Sequence, residues 1–553
     1  MKCVSLFAPL LLAQGFVHAQ AEEVGTLMAQ RTSAEEPGGV VAVIHNQEVV
    51  YKKAFGLANV KNKRPIEINT PFGMASISKQ FTAMCIALLE EQAELSIDND
   101  IRTYYPEFQF EEPIKVRNLI DHTSGIREAY VLMQLAGRTN LLGKVPEKFQ
   151  TKDQLIGAIG REKDLNFPTG SEFAYTNINY ILLGDIVEKV SGQQLSEFAD
   201  SAIFKPLEMY STFFNDEERR QKFNGYYYNG KKYKARSFVG GVVGDHNLVS
   251  TIDDMIKWSN NRYDNQLGNK DPKLYDQLFT SSKLDNGQPT EYGYGVFVSS
   301  YRGLQQIDHG GDNDVHTSFM RIIPDLKLTV ISMSYSSRYD QVLENTREIV
   351  DLYLDRRTEA ETEANFQYIS VDQEMLASRS GLYYTVTEKG LGHIRKLTYE
   401  NGGLFASDSY THKGLKLHAI SEQYFVAKNS SNKFLHIHFS TDSEGNMTLH
   451  EEYEDLVDLR FTKHKKVVYE ASDFLGEYKN ESTGAVIKVK AGKEGLKAKK
   501  GIIKLPMIAL QEDLFYASNV NALFRFQRNE SGEVVKLTVD AYDFRNFKLD
   551  RVE

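Results

Sequence analysis

The pattern of polar and apolar residues changes near residue 360, and this change limits what the chain can fold into. Residues 23–358 mix strand and helix signals. Residues 367–553 show short alternating segments between turn residues and almost no helical signal, which is typical of all-β structure. The polar, charged stretch 356–366 between them is typical of a linker. Because a single hydrophobic core rarely exceeds about 250–300 residues, the 553-residue chain should contain several domains.

The first segment has strand signals at both ends and helix signals between them. Two strands joined at Asn46-Gln47 are expected at Gly39–His45 and Glu48–Phe55, and a helix from Ser76 to about Glu94. Further helices are expected at 151–160, 179–191, 194–204, 252–262 and 340–357, and further strands at Tyr292–Ser299, Leu304–His309, Ser318–Ile323 and Leu328–Ser334. This order predicts an α/β (α+β) domain in which one antiparallel sheet joins both ends of the segment beside a helical lobe.

The second segment contains an internal duplication. Gly381-Leu382-Tyr383 resembles Gly476-Glu477-Tyr478, and the offset is 95 residues (476 − 381). Strand–turn–strand units in 434–453 and 523–542 also match. We expect two small β-barrels, because closure removes exposed strand edges. The expected boundaries are 22–358 for the first domain, 359–368 for the linker, and 369–465 and 466–553 for the barrels.

Residues 1–21 are typical of a signal peptide. Lys2 precedes the apolar run Val4–Leu12, and Ala19-Gln20-Ala21 offers a small-residue cleavage site, with Val17-His18-Ala19 as a second possibility. The run is too short to span a bilayer, and Cys3 lies too early to be a lipoprotein cysteine. We therefore expect a secreted or periplasmic protein with no stable membrane anchor.

Charge and motif content narrow the partners. The net charge of −10 argues against nucleic acid, because binding a phosphate backbone needs a basic face. No histidine spacing suits zinc and no nucleotide-binding loop is present in the sequence, so we expect neither a metal nor a cofactor. The expected partner is a small-molecule or peptide substrate.

Ser76-Ile77-Ser78-Lys79 places a serine and a lysine one helical turn apart, on the same face. A serine hydroxyl becomes a good nucleophile when a neighbouring base takes its proton, and a partly desolvated lysine serves as that base. Taken alone, the motif also fits a helix-capping serine followed by a solvated lysine.

Two further motifs carry groups suited to the same chemistry. Tyr175-Thr176-Asn177 lies just before a predicted helix, so that a phenol for proton relay and an amide for substrate positioning share one loop. His309-Gly310-Gly311 ends a predicted strand, whose edge would pair with an extended substrate. Taken alone, the first motif is more typical of a tyrosine packed on a helix start, and the second of a plain turn.

In this order, the three motifs resemble those of the serine β-lactamase and penicillin-binding-protein superfamily, in the branch with class C β-lactamases, D-aminopeptidases, DD-carboxypeptidases and esterases. The similarity covers about residues 25–355. Other matching stretches are Val116–Gly125, Phe167–Gly192, Ile203–Met209 and Leu248–Asp254.

The resemblance implies a role for each matching residue. Ser76 would be acylated, Lys79 and Tyr175 would share the acid and base work, and Asn177 would position the substrate. The main-chain N–H groups of Ser76 and Asp312 would form the oxyanion hole, with Asp312 following His309-Gly310-Gly311. His122 is expected to be structural.

The departures from the family pattern concern specificity. His309 stands where many relatives have a lysine, and Gly310 stands where they have a threonine. A neutral histidine and a missing hydroxyl weaken the recognition of a free carboxylate. The tyrosine-rich stretch Phe223–Tyr233 is expected to form either an aromatic wall of the cleft or a surface hairpin.

The leading hypothesis is a hydrolase that acts through a Ser76 acyl-enzyme on D-amino-acid amides, D-peptides or small esters. One alternative is a β-lactamase or DD-carboxypeptidase, which would need another carboxylate-binding group such as Arg302 or Arg321. The other alternative is a non-catalytic binding protein on the same fold.

Overall fold

The computed structural model describes residues 20–135, 151–354, 366–386, 392–408, 414–428, 434–443, 445–453, 456–492, 495–500, 503–520, 522–541 and 544–552. Most of the predicted signal peptide (1–19) and of the predicted linker (359–365) lies outside these residues. The chain divides into two compact units. The first comprises 1–126, 147–163 and 168–356, and the second comprises 127–146, 164–167 and 357–553.

The strands before residue 355 are β1 (Gly39–His45), β2 (Glu48–Phe55), β3 (Leu57–Asn59), β4 (Arg64–Pro65), β5 (Phe72–Gly73), β6 (Phe213–Phe214), β7 (Lys222–Tyr228), β8 (Tyr233–Val239), β9 (Leu248–Ser250), β10 (Phe297–Tyr301), β11 (Leu304–Asp312), β12 (Thr317–Ile323) and β13 (Leu328–Ser334). The helices are α1 (20–31), α2 (Ser78–Glu91), α3 (Val116–Ile120), α4 (Ala129–Leu135), α5 (Lys152–Ile159), α6 (Asn177–Ser191), α7 (Leu195–Ala199), α8 (Ile252–Asn261), α9 (Lys273–Leu278) and α10 (Tyr339–Tyr353). Single 3₁₀ turns cover Ala75–Ile77, Ile101–Thr103 and Pro324–Leu326, and a π-helical turn covers Asp200–Phe204.

The main sheet of the first unit is antiparallel, in the order β10-β11-β12-β13-β1-β2. It joins the two ends of the segment, as predicted. Asn46 and Gln47 between β1 and β2 both have positive φ (51° and 68°), the geometry of a tight two-residue hairpin turn. Val24 and Met28 of α1 pack with Ile349 and Val350 of α10 in one core cluster on this sheet.

The prediction of a strand over Tyr292–Ser299 is wrong in its first half, because β10 begins only at Phe297. Gly295 interrupts the extended run with a φ of +78°. A Cβ at Gly295 would lie 2.6 Å from the main-chain nitrogen of Gln80, so the chain turns here to pass close to the start of α2.

Helix α2 is the interior element of the helical lobe. Residues 78–89 are all buried, whereas an amphipathic surface helix would expose one face. Lys79 therefore sits in the first turn of a helix that is shielded from water. Helix α6 packs beside α2 and ends at Gly192 in the left-handed conformation expected of a C-cap (φ 72°).

The second unit contains a closed eight-stranded barrel. Its strands are β14 (Gly381–Val386), β15 (Gly392–Glu400), β16 (Gly403–Asp408), β17 (Leu415–Ala419), β18 (Tyr424–Lys428), β19 (Phe434–Thr441), β20 (Met447–Tyr453) and β21 (Leu456–Lys463). Strand β14 pairs with both β15 and β21, which closes the ring. Buried residues such as Phe425 and Ile437 fill the barrel core.

A second, nearly closed barrel follows. Its strands are β22 (Gly476–Lys479), β23 (Val486–Ala491), β24 (Leu496–Lys500), β25 (Ile503–Pro506), β26 (Ile508–Gln511), β27 (Leu514–Ala517), β28 (Ala522–Arg528), β29 (Val534–Ala541) and β30 (Phe544–Val552). Strand β22 pairs with β30. Only Met507 separates β25, which pairs with β24, from β26, which pairs with β27.

The two barrels repeat the same opening geometry. Each first strand begins at a glycine with positive φ, Gly381 (139°) and Gly476 (150°). Two residues later, the Tyr383 hydroxyl donates to the carbonyl of Arg379 (2.9 Å), and the Tyr478 hydroxyl donates to that of Phe474 (3.0 Å). These carbonyls belong to two short helices, α11 (Gln373–Arg379) and α12 (Ala471–Phe474), each of which directly precedes the first strand of its barrel.

No helix in the described part of the chain is long and apolar enough to cross a membrane.

Candidate active site

Ser76 lies in the 3₁₀ turn Ala75–Ile77, immediately before α2, and not inside the α-helix as predicted. Ala75 has a φ of +46°, which strains the turn and presents the next residue. The Ser78 hydroxyl clamps the turn by donating to the carbonyl of Ala75 (2.5 Å) and accepting from the main-chain N–H of Leu248 (3.0 Å).

Lys79 is fully buried and points its amine at Ser76. Its Nζ donates to Ser76 Oγ (3.2 Å), to Asn177 Oδ1 (2.9 Å) and to the main-chain oxygen of Asp245 (2.9 Å). The amine thus joins the candidate nucleophile to the Tyr-x-Asn loop. An amine in this position receives a proton from the serine once it is itself unprotonated.

Tyr175 also lies beside the Lys79 amine. Lys79 Nζ lies 4.9 Å from the centre of the Tyr175 ring. The loop that carries Tyr175 is held by His122, whose Nδ1 accepts from the N–H of Thr176 (3.3 Å) and whose carbonyl accepts from the N–H of Ala174 (3.0 Å). Burial, with the charge of Lys79, holds the pKa of His122 well below its usual range, so this imidazole is neutral.

His309 lies in β11, which continues to Asp312 and does not end at the histidine as predicted. Its Nδ1 donates to the carbonyl of Gly310 (2.7 Å), and its Nε2 accepts from the Tyr292 hydroxyl (3.2 Å), which assigns the neutral tautomer. Burial, together with Lys79, lowers the pKa of His309 to about 3. The residue therefore offers no positive charge to a substrate carboxylate.

The two glycines after His309 have different neighbours. A Cβ on Gly311 would lie 2.3 Å from the carbonyl oxygen of Met74 and 2.8 Å from the main-chain nitrogen of Ser76. A Cβ on Gly310 would lie 2.3 Å from the Tyr339 hydroxyl. Glycine at 311 thus lets the strand pass directly against the nucleophile turn, and glycine at 310 leaves room for Tyr339.

The end of β11 has an edge that β10 does not cover, because the pairing of the two strands stops at Asp308. Such an edge suits an extended substrate. The Asp312 carboxylate accepts hydrogen bonds from the N–H of Asp314 (2.9 Å) and the hydroxyl of Thr317 (2.7 Å). Burial raises the pKa of the Asp312 carboxyl.

The tyrosine-rich stretch forms the hairpin β7–β8. Phe238 of the hairpin would be 2.8 Å from a Cβ on Gly73, three residues before Ser76. A Cβ on Gly225 would lie 2.4 Å from the carbonyl of Val315, shortly after Asp312. The hairpin therefore packs against both chain segments that lead to the site, and its role as an aromatic wall stays a prediction.

Both arginines considered as alternative carboxylate binders already have acidic partners. Arg302 pairs with Asp351 at 3.0 Å. Arg321 is buried and pairs with Asp308 at 2.8 Å. Within the described residues, no group of three or more histidine, cysteine, aspartate or glutamate side chains is arranged to hold a metal ion.

Sequence motifs did not indicate three residues that the structure brings to this group, namely Tyr292, Tyr339 and Asp245. Tyr292 holds His309, Tyr339 fills the space beside Gly310, and Asp245 accepts from Lys79. A weak signal was available for Asp245 alone, because Asp245-His246 lies shortly before Leu248–Asp254, a stretch that resembles the family.

Comparison with solved structures supports the fold. A penicillin-binding protein homologue from Pyrococcus abyssi, described as octameric, aligns with a TM-score of 0.55 and 24% identity, over 80% of this chain and 99% of its own. A penicillin-binding protein from Bacillus halodurans aligns with a TM-score of 0.50 and 21% identity, over 60% of this chain and all of its own.

Sequence comparison identifies the relatives. D-aminopeptidases from Brucella canis and Brucella anthropi are each 29% identical over 282 residues, or 50% of this chain. The chain spans about half the length of these relatives, 52% and 51% respectively. The Beta-lactamase family matches residues 23–354, more than half of the chain and all of the segment that carries the site. The chain belongs to this family of serine hydrolases.

Proposed function

We propose that the protein is an exported hydrolase that cleaves D-amino-acid amides and D-peptides through an acyl-enzyme on Ser76. The observation that carries the proposal is the position of the Lys79 amine, which bonds to Ser76 Oγ, Asn177 Oδ1 and the main-chain oxygen of Asp245. A solvated lysine after a helix-capping serine would not be fully buried among three oxygen acceptors. Export rests on the signal-peptide pattern of residues 1–21.

The proposed reaction has two steps. In the first, Ser76 Oγ attacks the substrate carbonyl carbon, and its proton passes to the Lys79–Tyr175 pair. The main-chain N–H groups of Ser76 and Asp312 stabilise the oxyanion. The C–N bond then breaks, the departing amine takes the proton, and the acyl group stays on Ser76. In the second step, water attacks the carbonyl carbon of the ester and gives a proton to the same pair. The ester C–O bond then breaks, Ser76 Oγ takes that proton back, and the acid leaves.

The neutral state of His309 favours amides and peptides over substrates recognised by a free carboxylate. With a pKa near 3, His309 carries no positive charge, and both Arg302 and Arg321 are paired with aspartates. None of these three described residues therefore replaces the lysine of the relatives as a binder of a free carboxylate. This supports the D-aminopeptidase type over a β-lactamase or DD-carboxypeptidase. The similarity to D-aminopeptidases points the same way.

The test is a side-by-side assay of the purified protein with D-alanine p-nitroanilide and p-nitrophenyl acetate. The Ser76→Ala variant supplies the blank for both. We expect Ser76-dependent cleavage of the anilide. Cleavage of the ester alone would exclude the D-peptide assignment and leave an esterase. If the Ser76→Ala variant kept both activities, the Ser76 mechanism would be contradicted.

A further inference from the structure

The segment Asp245-His246 borders the candidate nucleophile, and its side chains have no part in the reaction described above. Lys79 Nζ lies 3.2 Å from Ser76 Oγ and 2.9 Å from the main-chain oxygen of Asp245. The Asp245 carbonyl oxygen is therefore within 6.1 Å (3.2 + 2.9) of the nucleophile. His246 follows directly, and its side chain is 30% exposed.

The segment is held rigidly. Gly244 has a φ of +111°, and its carbonyl accepts from the Thr82 hydroxyl of α2 (2.7 Å). A Cβ on Gly244 would lie 2.3 Å from the carbonyl oxygen of Tyr180 in α6, so the chain is wedged between two helices. On the other side, Asn247 donates to the carbonyl of Val242 (2.8 Å). Asp245 and His246 consequently have little freedom to move away from the site.

The Asp245 carboxyl group is an unusual buried group. Its side chain is 3% exposed and its Oδ1 makes no hydrogen bond, although Nδ1 of His246 lies 2.6 Å away. Burying a carboxyl oxygen that lacks a hydrogen-bond donor is costly, unless a ligand supplies the donor. The imidazole of His246 lies against the carboxyl group and is partly exposed, so it is the member of the pair that a ligand reaches first.

We infer that the Asp245–His246 pair recognises the free α-ammonium group of an aminoacyl substrate; this inference rests on the proposed function. A carbonyl carbon ready for attack lies about 3–3.5 Å from Ser76 Oγ. The α-nitrogen is two bonds further, or about 2.5 Å. The α-ammonium group at that distance lies beside Lys79. There it donates a hydrogen bond to His246 Nε2, and the negative charge of Asp245 stabilises it.

Asp312 is another carboxylate near the nucleophile, and it fits this role less well. Both of its oxygens already accept hydrogen bonds, one from the N–H of Asp314 in the following loop and one from Thr317, the first residue of β12. Asp312 is the exposed last residue of β11, so water reaches its partly buried carboxyl group. A substrate ammonium would gain less there, because water screens an exposed charge.

The test compares two ligands that differ only in the ammonium group, D-alaninamide and N-acetyl-D-alaninamide. Their binding is measured by calorimetry at pH 7 to full-length protein carrying Ser76→Ala, so that no turnover occurs. We expect D-alaninamide to bind at least about tenfold more tightly. The added change Asp245→Asn should reduce this preference to less than about threefold, and His246→Ala should do the same if the first variant fails to fold.

Asp253→Asn is the matched control, because this exposed carboxylate pairs with Lys52 (2.6 Å) and should leave the preference intact. Equal binding of the two ligands, or a preference that survives both Asp245→Asn and His246→Ala, would overturn the inference. The readout does not depend on cleavage. A protein that prefers the ammonium ligand but fails to hydrolyse D-alanine p-nitroanilide would refute the proposed function alone.

Discussion

Three buried histidines near the Ser76 turn are held neutral by their surroundings. His122 and His309 flank the Lys79–Tyr175 pair, and burial is the main cause that lowers their pKa values. His316 accepts from the N–H of Gly73 at Nδ1 (2.9 Å) and contacts the carbonyl of Asn224 through Nε2 (3.0 Å). Burial lowers the pKa of His316 to about 4. Protonation of its Nδ1 would break the bond to the strand that precedes Ser76.

These histidines predict a loss of stability in mild acid. Because their folded pKa values are below the unfolded value of about 6.5, the unfolded chain binds more protons in this range, and the free energy of unfolding falls as the pH drops from about 6.5 toward 4. Each contributes a slope of at most about 1.4 kcal/mol per pH unit. Urea unfolding of the first unit between pH 7 and pH 5 should show this fall.

The variant His316→Asn serves as the comparison, since it removes one titrating group and keeps a polar side chain. Its unfolding free energy should be lower at pH 7 and should change less between pH 7 and pH 5. An identical pH slope in the wild type and the variant would contradict a neutral, buried His316.

Two adjacent glycines of strand β11 face different neighbours beside the candidate site. Gly311 faces main-chain atoms of the nucleophile turn, which cannot move away, whereas Gly310 faces the end of the partly exposed Tyr339 side chain. The same substitution at the two positions should therefore have different consequences.

We predict that Gly311→Ala lowers kcat/KM at least about 100-fold, because displacing the turn moves an oxyanion donor. Gly310→Ala should cost less, and the second change Tyr339→Ala should restore part of the loss by emptying the space. Steady-state kinetics of the single and double variants, with circular dichroism as a check of folding, measure this. Equal losses at both positions, with no rescue, would refute the distinction.

The sequence predicted those elements of the fold that depend on local patterns of alternation and turn residues. The hairpin at Asn46-Gln47, the sheet that joins both ends of the first segment and the duplicated barrels follow from alternation and turn residues. The predicted start of β10 was wrong, because Gly295 turns the chain to pass close to α2, and this contact between distant segments leaves no local pattern in the sequence. The extension of β11 to Asp312 depends in the same way on its pairing with β12.

The candidate site divides along the same line. Ser76, Lys79, Tyr175 and Asn177 lie in short motifs, so they were recognisable, and the structure brings them together. The packing of distant segments brings three further residues to the candidate site, and no sequence spacing indicates them: Tyr292, Tyr339 and Asp245. The sequence already predicted a neutral His309 from the ordinary pKa of histidine. The structure adds the burial that lowers this pKa to about 3.

On the scale of the whole molecule, the second unit takes in two short segments from the first half of the chain. Arg127 connects these two segments with the start of β30. Its guanidinium donates to four main-chain carbonyls, those of Asp164 (2.6 Å), Leu165 (3.3 Å), Arg545 (3.2 Å) and Asn546 (3.0 Å). Sequence alone assigned residues 22–358 to a single domain, since nothing local connects residue 127 with residue 545.

Removing this guanidinium should loosen the second unit. Arg127→Ala leaves buried carbonyls without donors, at a cost of about 1–3 kcal/mol for each group that water cannot reach. We expect amide hydrogen exchange in 164–167 and 544–547 to become at least about tenfold faster. Arg127→Lys should restore the protection only in part, because one amine cannot serve four carbonyls. Unchanged exchange in Arg127→Ala would show that the barrel turn is held by other contacts.

The most direct test of the central claim is intact-mass analysis after treatment with a fluorophosphonate, which reacts with activated serines. The account predicts one phosphonyl group per wild-type molecule, located on the peptide that contains Ser76. Ser76→Ala should take up none, and Lys79→Met should react at least about 100-fold more slowly while remaining folded. Labelling that survives Ser76→Ala, or that is equally fast in Lys79→Met, would contradict activation of Ser76 by the buried lysine.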